Sequence, residues 1–169
     1  MTFTSTFKKL AAAAGLAILV TFGLVACSAN ADQPQAPTAA DVWIKAVPNV
    51  DGPMSDMTGM FGVFSNPTDK VIYILGGSAT DATLTDTKLD AHEVVKTADG
   101  KMEMQEVRGG IPIPAHGSVT LKPGSYHIMF WNLKKPIVVG DEISATIKFS
   151  NGTTTEVKAI ARDIANYAG

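Results

Sequence analysis

The chain reads as a single all-β domain, an antiparallel β-sandwich, on three observations. Short apolar or alternating runs of four to eight residues recur along most of its length. Turn signals punctuate them at roughly even spacing, among them Asn66-Pro67, Asp99-Gly100 and Asn151-Gly152. No window of usable length carries the apolar repeat of a helix.

Residues 42–47 (VWIKAV) are the first candidate strand. Residues 59–65 (GMFGVFS) and 71–75 (VIYIL) flank Asn66-Pro67-Thr68-Asp69, where short polar side chains can bond the backbone and proline presets φ. Residues 91–97 and 101–107 flank Ala98-Asp99-Gly100, and the Asp-Gly pair suits the positive φ of a tight hairpin. Ile111-Pro112-Ile113-Pro114 is excluded from the interior of a central strand, because each proline lacks the ladder donor; it is an edge or a crossing loop. Residues 119–122 end at Pro123-Gly124, and residues 126–131 follow. Residues 142–149 and 153–160 flank Ser150-Asn151-Gly152, a second hairpin. Eight or nine strands are expected.

The N-terminal end is different. Lys8 and Lys9 precede an apolar run, residues 10–26, and then Cys27, the only cysteine of the 169 residues. A basic start, an apolar middle and small residues before a break read as a secretory signal, outside the fold. Leu24-Val25-Ala26-Cys27 resembles the lipobox of bacterial lipoproteins. That resemblance implies removal of residues 1–26, a lipid on Cys27, and anchorage at the outer face of the cell membrane. A retained transmembrane anchor is the competing reading, since the 17 residues of the apolar run can just span a bilayer. Both readings put the domain outside the cytoplasmic membrane. Residues 27–40 then form the lipidated cysteine and a flexible, proline-containing tether, residues 41–163 the domain, and residues 164–169 a C-terminal tail.

Without the signal the chain keeps 12 basic and 16 acidic residues, a net charge of −4. That balance gives no support to nucleic-acid binding, which wants a basic face. The mature domain also has no thiol besides the lipidated one, so its core must hold it without disulfides, and a blue-copper centre of two histidines and a cysteine is excluded. No phosphate-binding glycine loop, GxSxG elbow or HExxH motif is present, and no acid pair stands out as an acid/base couple. The chain does not read as an enzyme.

What remains is the placing of histidines and methionines. Strand alternation puts His127 and Met129 on one face and Tyr126, Ile128 and Phe130 on the other, toward the core. Met102 and Met104 share a face in the same way, and His92 lies on the partner strand of that hairpin. Exposed or half-exposed sheet positions are expected for all of them. Imidazole nitrogen and thioether sulfur form a soft donor set, suited to Cu(I) and poorly suited to Mg²⁺ or Ca²⁺. A thioether has no proton to lose, so the site keeps low charge in an oxidising compartment. A strand methionine is also ordinary core filling, and a strand histidine is often only hydrogen-bonded structure. On that reading the domain is an extracellular β-sandwich interaction module with no specific metal role. Met54, Met57 and Met60 fit either a second copper-capturing segment or loop and strand packing, and Trp131 either covers the copper face or anchors its loop.

The stretch from Ala91 to Lys148 resembles the PCuAC family of periplasmic and extracellular copper chaperones. The family signature is a His, ten residues, a Met, twenty-one residues, then His-x-Met. Here 11 residues separate His92 from Met104 and 22 separate Met104 from His127, each interval one longer than the signature. The extra residues fit in the Ala98-Asp99-Gly100 turn and around Arg108-Gly109-Gly110, where insertion costs little. Met102, separated from His92 by nine residues, is the competing choice at the second position. The runs from Ile113 to Val119 and from Leu121 to Met129, Leu133-Lys134-Lys135-Pro136, Gly140-Asp141 and Trp43 extend the likeness over nearly all of the mature domain. The resemblance implies a cupredoxin-like sandwich binding one Cu(I) at a solvent-exposed site through His92, Met104, His127 and Met129. It implies delivery of that copper toward cytochrome c oxidase assembly, to an oxidase subunit or a Sco-type thiol protein. His116 has no counterpart in the signature and reads as a loop histidine.

Overall fold

Period-two burial builds the sheet. In β9, Glu142–Phe149, the side chains of Ile143, Ala145, Ile147 and Phe149 are buried, and those between them are not. β10, Thr154–Arg162, repeats the pattern with Val157, Ala159 and Ala161. The structure is a computed structural model and describes residues 34–48, 56–80, 84 and 87–166. The signal, Cys27, the first part of the tether and Met54 lie outside the described residues.

The remaining strands are β1 (Thr38–Lys45), β2 (Thr58–Ser65), β3 (Ile72–Ala79), β4 (Lys88–Lys96), β5 (Met102–Glu106), β6 (Ile111–Ile113), β7 (Ser118–Leu121) and β8 (His127–Phe130). A short 3₁₀ turn, Ile164–Asn166, follows β10, and no α-helix occurs among the described residues. Ten strands stand where eight or nine were expected. The added one is β6, whose Pro112 lies opposite Tyr73 on the sheet edge, where a missing donor costs nothing. Both expected hairpins form, β4–β5 around Gly100 (φ 84°) and β9–β10 around Gly152 (φ 81°).

Pairing runs β4–β8–β2–β1–β10–β9–β3 and returns to β4, so the sandwich closes on itself, with β5, β6 and β7 beside β4, β3 and β2. One pair departs from the antiparallel expectation: β1 and β10 run parallel, with Trp43 opposite Ile160. The closure at β3 depends on glycine. A Cβ at Gly76 would sit 2.2 Å from the carbonyl oxygen of Leu89 in β4, and one at Gly77 would sit 2.1 Å from that of Thr146 in β9. Strand and neighbour approach each other there too closely for any side chain.

β1 begins at Thr38, so residues 38–40 belong to the sheet rather than the tether. The hydroxyl of Thr155 donates to the carbonyl of Pro37 just before it. β2 and β3 do not pair; Asn66, 2% exposed, turns the chain between them. Its amide donates to the carbonyls of Lys70 and Pro114, and its oxygen accepts from the backbone and hydroxyl of Thr68. The core is aliphatic and aromatic, with Ile44, Met60, Phe64, Ile74, Ile128 and Phe130 wholly buried. Each such side chain contributes about 1.5–3 kcal/mol.

Candidate metal site

β8 is the platform. It pairs with β4 on one edge and β2 on the other, placing His92 opposite His127, and both Asp90 and Gly59 opposite Met129. Two paired edges bury it. His127 is 5% exposed, Met129 6% and His92 7%, against the expectation of exposed or half-exposed positions. The alternation itself holds: Ile128 and Phe130 point into the core, wholly buried.

The turn Lys122-Pro123-Gly124-Ser125 aims the first donor. Proline at its second position and Gly124 (φ 74°) at its third close it, and the Ser125 amide donates to the Lys122 carbonyl at 3.1 Å. The Ser125 carbonyl then accepts from the Val94 amide at 3.3 Å and from His127 Nδ1 at 2.9 Å. A carbonyl can only accept, so Nδ1 carries the ring proton and Nε2 of the neutral ring is a bare lone pair. Burial pushes the His127 pKa below its ordinary value; the Ser125 carbonyl works against that shift, and nearby His92 adds to it. The neutral ring is the favoured form.

Nε2 faces the sulfur of Met104, 3.1 Å away. In the neutral ring this is not a hydrogen bond but two lone-pair donors converging. Bonds of about 2.0 Å to nitrogen and about 2.3 Å to sulfur, typical of zinc sites, subtend roughly a right angle across such a gap, so the pair fits adjacent positions on one small ion. A metal-binding histidine commonly spends its other ring N–H on a backbone carbonyl, as Nδ1 does here.

The rest of the site surrounds that pair. Phe61 lies 6.2 Å from the His127 ring and 4.5 Å from Trp43, forming an apolar wall. On the other side the His92 ring lies 6.0 Å from that of His127 and 5.5 Å from Trp131. His92 Nδ1 and Trp131 Nε1 are buried with no hydrogen-bond partner. Trp131 therefore packs on His92, and its amide donates to Lys88 at 3.1 Å. An open pocket of about 270 Å³ lies over the donors, lined by Met57, Met104, His127 and Met129 together with Phe61 and Ile164. His92 does not line it. Met102, 59% exposed and opposite Lys96, stays outside it too. Met60 is core packing, and His116 sits at a distant turn, 2.6 Å from Asp69. Among the described residues no group of three or more His, Cys, Asp or Glu could hold a metal, so only imidazole and thioether are gathered.

Sequence reasoning missed two contributors. Ser125 acts through its backbone, and Ile164 comes from the expected tail. Met57 shares strand parity with Gly59 and Phe61, a signal that distinguishes it from Met60.

Comparison with known proteins places the chain. A family described as "Putative lipoprotein LpqE-like" matches residues 38–161. The chain belongs to that family. The LpqE-like match begins at the first residue of β1 and ends one residue before β10 does. A relative, "Putative lipoprotein Lxx21020" of Leifsonia xyli subsp. xyli (strain CTCB07), is 33% identical over 178 residues, covering 98% of this chain and 99% of its own. Solved structures extend the comparison from the LpqE-like family to the fold. The apo PCuAC domain from PmoF1 aligns with a TM-score of 0.55 at 16% identity, over 76% of this chain and 95% of that one. The copper-bound PCuAC domain from PmoF2 gives 0.53 at 16%, over 76% and 99%. The solution structure of CuI-DR1885 from Deinococcus radiodurans gives 0.51 at 25%, over 77% and 82%. The LpqE-like domain thus has the cupredoxin-like sandwich of the PCuAC domains.

Proposed function

We propose that this protein is an extracytoplasmic copper chaperone, held at the outer face of the cell membrane by a lipid on Cys27. It binds one Cu(I) through His127, Met104 and Met129 and passes it to an acceptor protein; His92, the remaining signature position, stands beside the His127 ring and off the pocket wall. The observation that carries this reading is the bare Nε2 of His127 facing the Met104 sulfur at 3.1 Å, with Nδ1 already committed to Ser125. The soft, uncharged donor set supports Cu(I) over harder ions. The likeness to a copper-bound PCuAC domain and to CuI-DR1885 supports the same metal.

Each residue has a part. Ser125 fixes the tautomer, Phe61 and Trp43 keep water from behind the ring, and the thioethers hold the ion without neutralising it. Such ligands exchange readily, which suits cargo that must be handed on. The receiver is a copper-accepting protein of cytochrome c oxidase assembly, either an oxidase subunit or a Sco-type thiol protein.

Competitive titration of the purified full chain in detergent, against a chromophoric Cu(I) chelator, tests the site. One tight equivalent is expected, weakened at least about ten-fold in the His127→Ala/Met129→Ala double variant. A tight equivalent that survives both substitutions sinks the assignment.

A further inference from the structure

The fold supplies one more donor than the signature positions. Met57 immediately precedes β2 and shares parity with Gly59 and Phe61, all three lining the pocket, while Met60 of opposite parity is sealed in the core. Its backbone is clamped on both sides. The Asp56 carbonyl accepts from the Leu133 amide at 2.8 Å, and the Thr58 hydroxyl donates to the Lys45 carbonyl at 2.6 Å. Thr58 also lies opposite Phe130, the residue after Met129. The half-buried side chain of Met57 borders the pocket, and a methionine side chain carries three rotatable bonds.

Strand order gives the placement its meaning. β8 lies between β4 and β2, with β5 outside β4. Met104 therefore borders the pocket from one side of the platform, against His127, and Met57 from the other, while His92 is packed away under Trp131 and off the pocket wall. An ion arriving through the pocket meets three thioethers and one imidazole. We propose that Met57 is a copper donor of this site, the mobile ligand that takes up Cu(I) at the pocket mouth and gives way when an acceptor's ligand replaces it. The proposal rests on the copper reading above.

Met57→Leu keeps the shape and apolar character of the side chain and removes its sulfur. Cu(I) affinity of the full chain is expected to fall at least about ten-fold, the scale of losing even an outer partner of a metal site. The sulfur count seen by X-ray absorption is expected to fall by one, with Met102→Leu changing neither. On the unsubstituted chain, the ε-methyl resonance of Met57 is expected to shift on Cu(I) addition as far as those of Met104 and Met129; this keeps the test valid if the variant folds poorly. Unchanged affinity and sulfur count in Met57→Leu, or a Met57 methyl that stays in place, overturns the role of Met57 and leaves the copper site standing. Failure of the unsubstituted chain to take up Cu(I) overturns both.

Discussion

At the scale of the residue, the proton on His127 decides what the site can do. Held on Nδ1 by Ser125, it leaves Nε2 free for a metal, and burial disfavours a second proton. The folded pKa lies below the ordinary 6.5 of the unfolded chain, so below that pH the unfolded state binds more protons than the folded one. The stability that His127 contributes is therefore fully present above about pH 6.5 and is lost as pH falls from there through the folded pKa. Urea unfolding of the metal-free protein between pH 7.5 and 5 should show a falling midpoint, with a shallower fall in His127→Gln. Equal slopes for the two proteins would remove His127 from the account. Much of this was legible from sequence, since alternation placed His127 with Met129 and Ile128 with Phe130. The depth of the site was not, because burial came from β2 and β4 closing on β8, partners more than thirty residues away along the chain.

At the scale of the element, close approach at β3 holds the sheet shut and fixes β4, which carries His92. Gly76→Ala forces a Cβ against the Leu89 carbonyl at a backbone φ of 116° and should cost at least about 2 kcal/mol in chemical denaturation. A cost within experimental error would mean that β3 and β4 separate easily. Hairpins at Asp99-Gly100 and Asn151-Gly152 were readable because their signals are local. The parallel pairing of β1 with β10 was not, because it joins the two ends of the domain and leaves no mark on either strand alone. Met57 illustrates the same limit: the methionine-rich segment was visible, but which of its thioethers faces the pocket depends on where β2 begins.

At the scale of the whole molecule, a ligand that binds only the folded state must stabilise it. Free Cu(I) at a hundred times its Kd adds about 2.7 kcal/mol, roughly 5–15 °C in Tm for a domain of this size. Thermal unfolding with and without Cu(I) under reducing conditions checks this, and an unchanged Tm would favour a plain interaction module. Among the described residues no helix is long and apolar enough to cross a membrane.

The strand that carries Met104 is the least supported in the ring of donors. β5 pairs with β4 alone, ends the strand order, and has every residue exposed. Edge strands open locally at a fraction of the cost of global unfolding. Fraying of this one hairpin parts the Met104 sulfur from His127 while β8, bonded on both edges, keeps its own side chains in place. For the proposed chaperone, release of copper is then a local breathing motion of one hairpin, with the rest of the sandwich undisturbed.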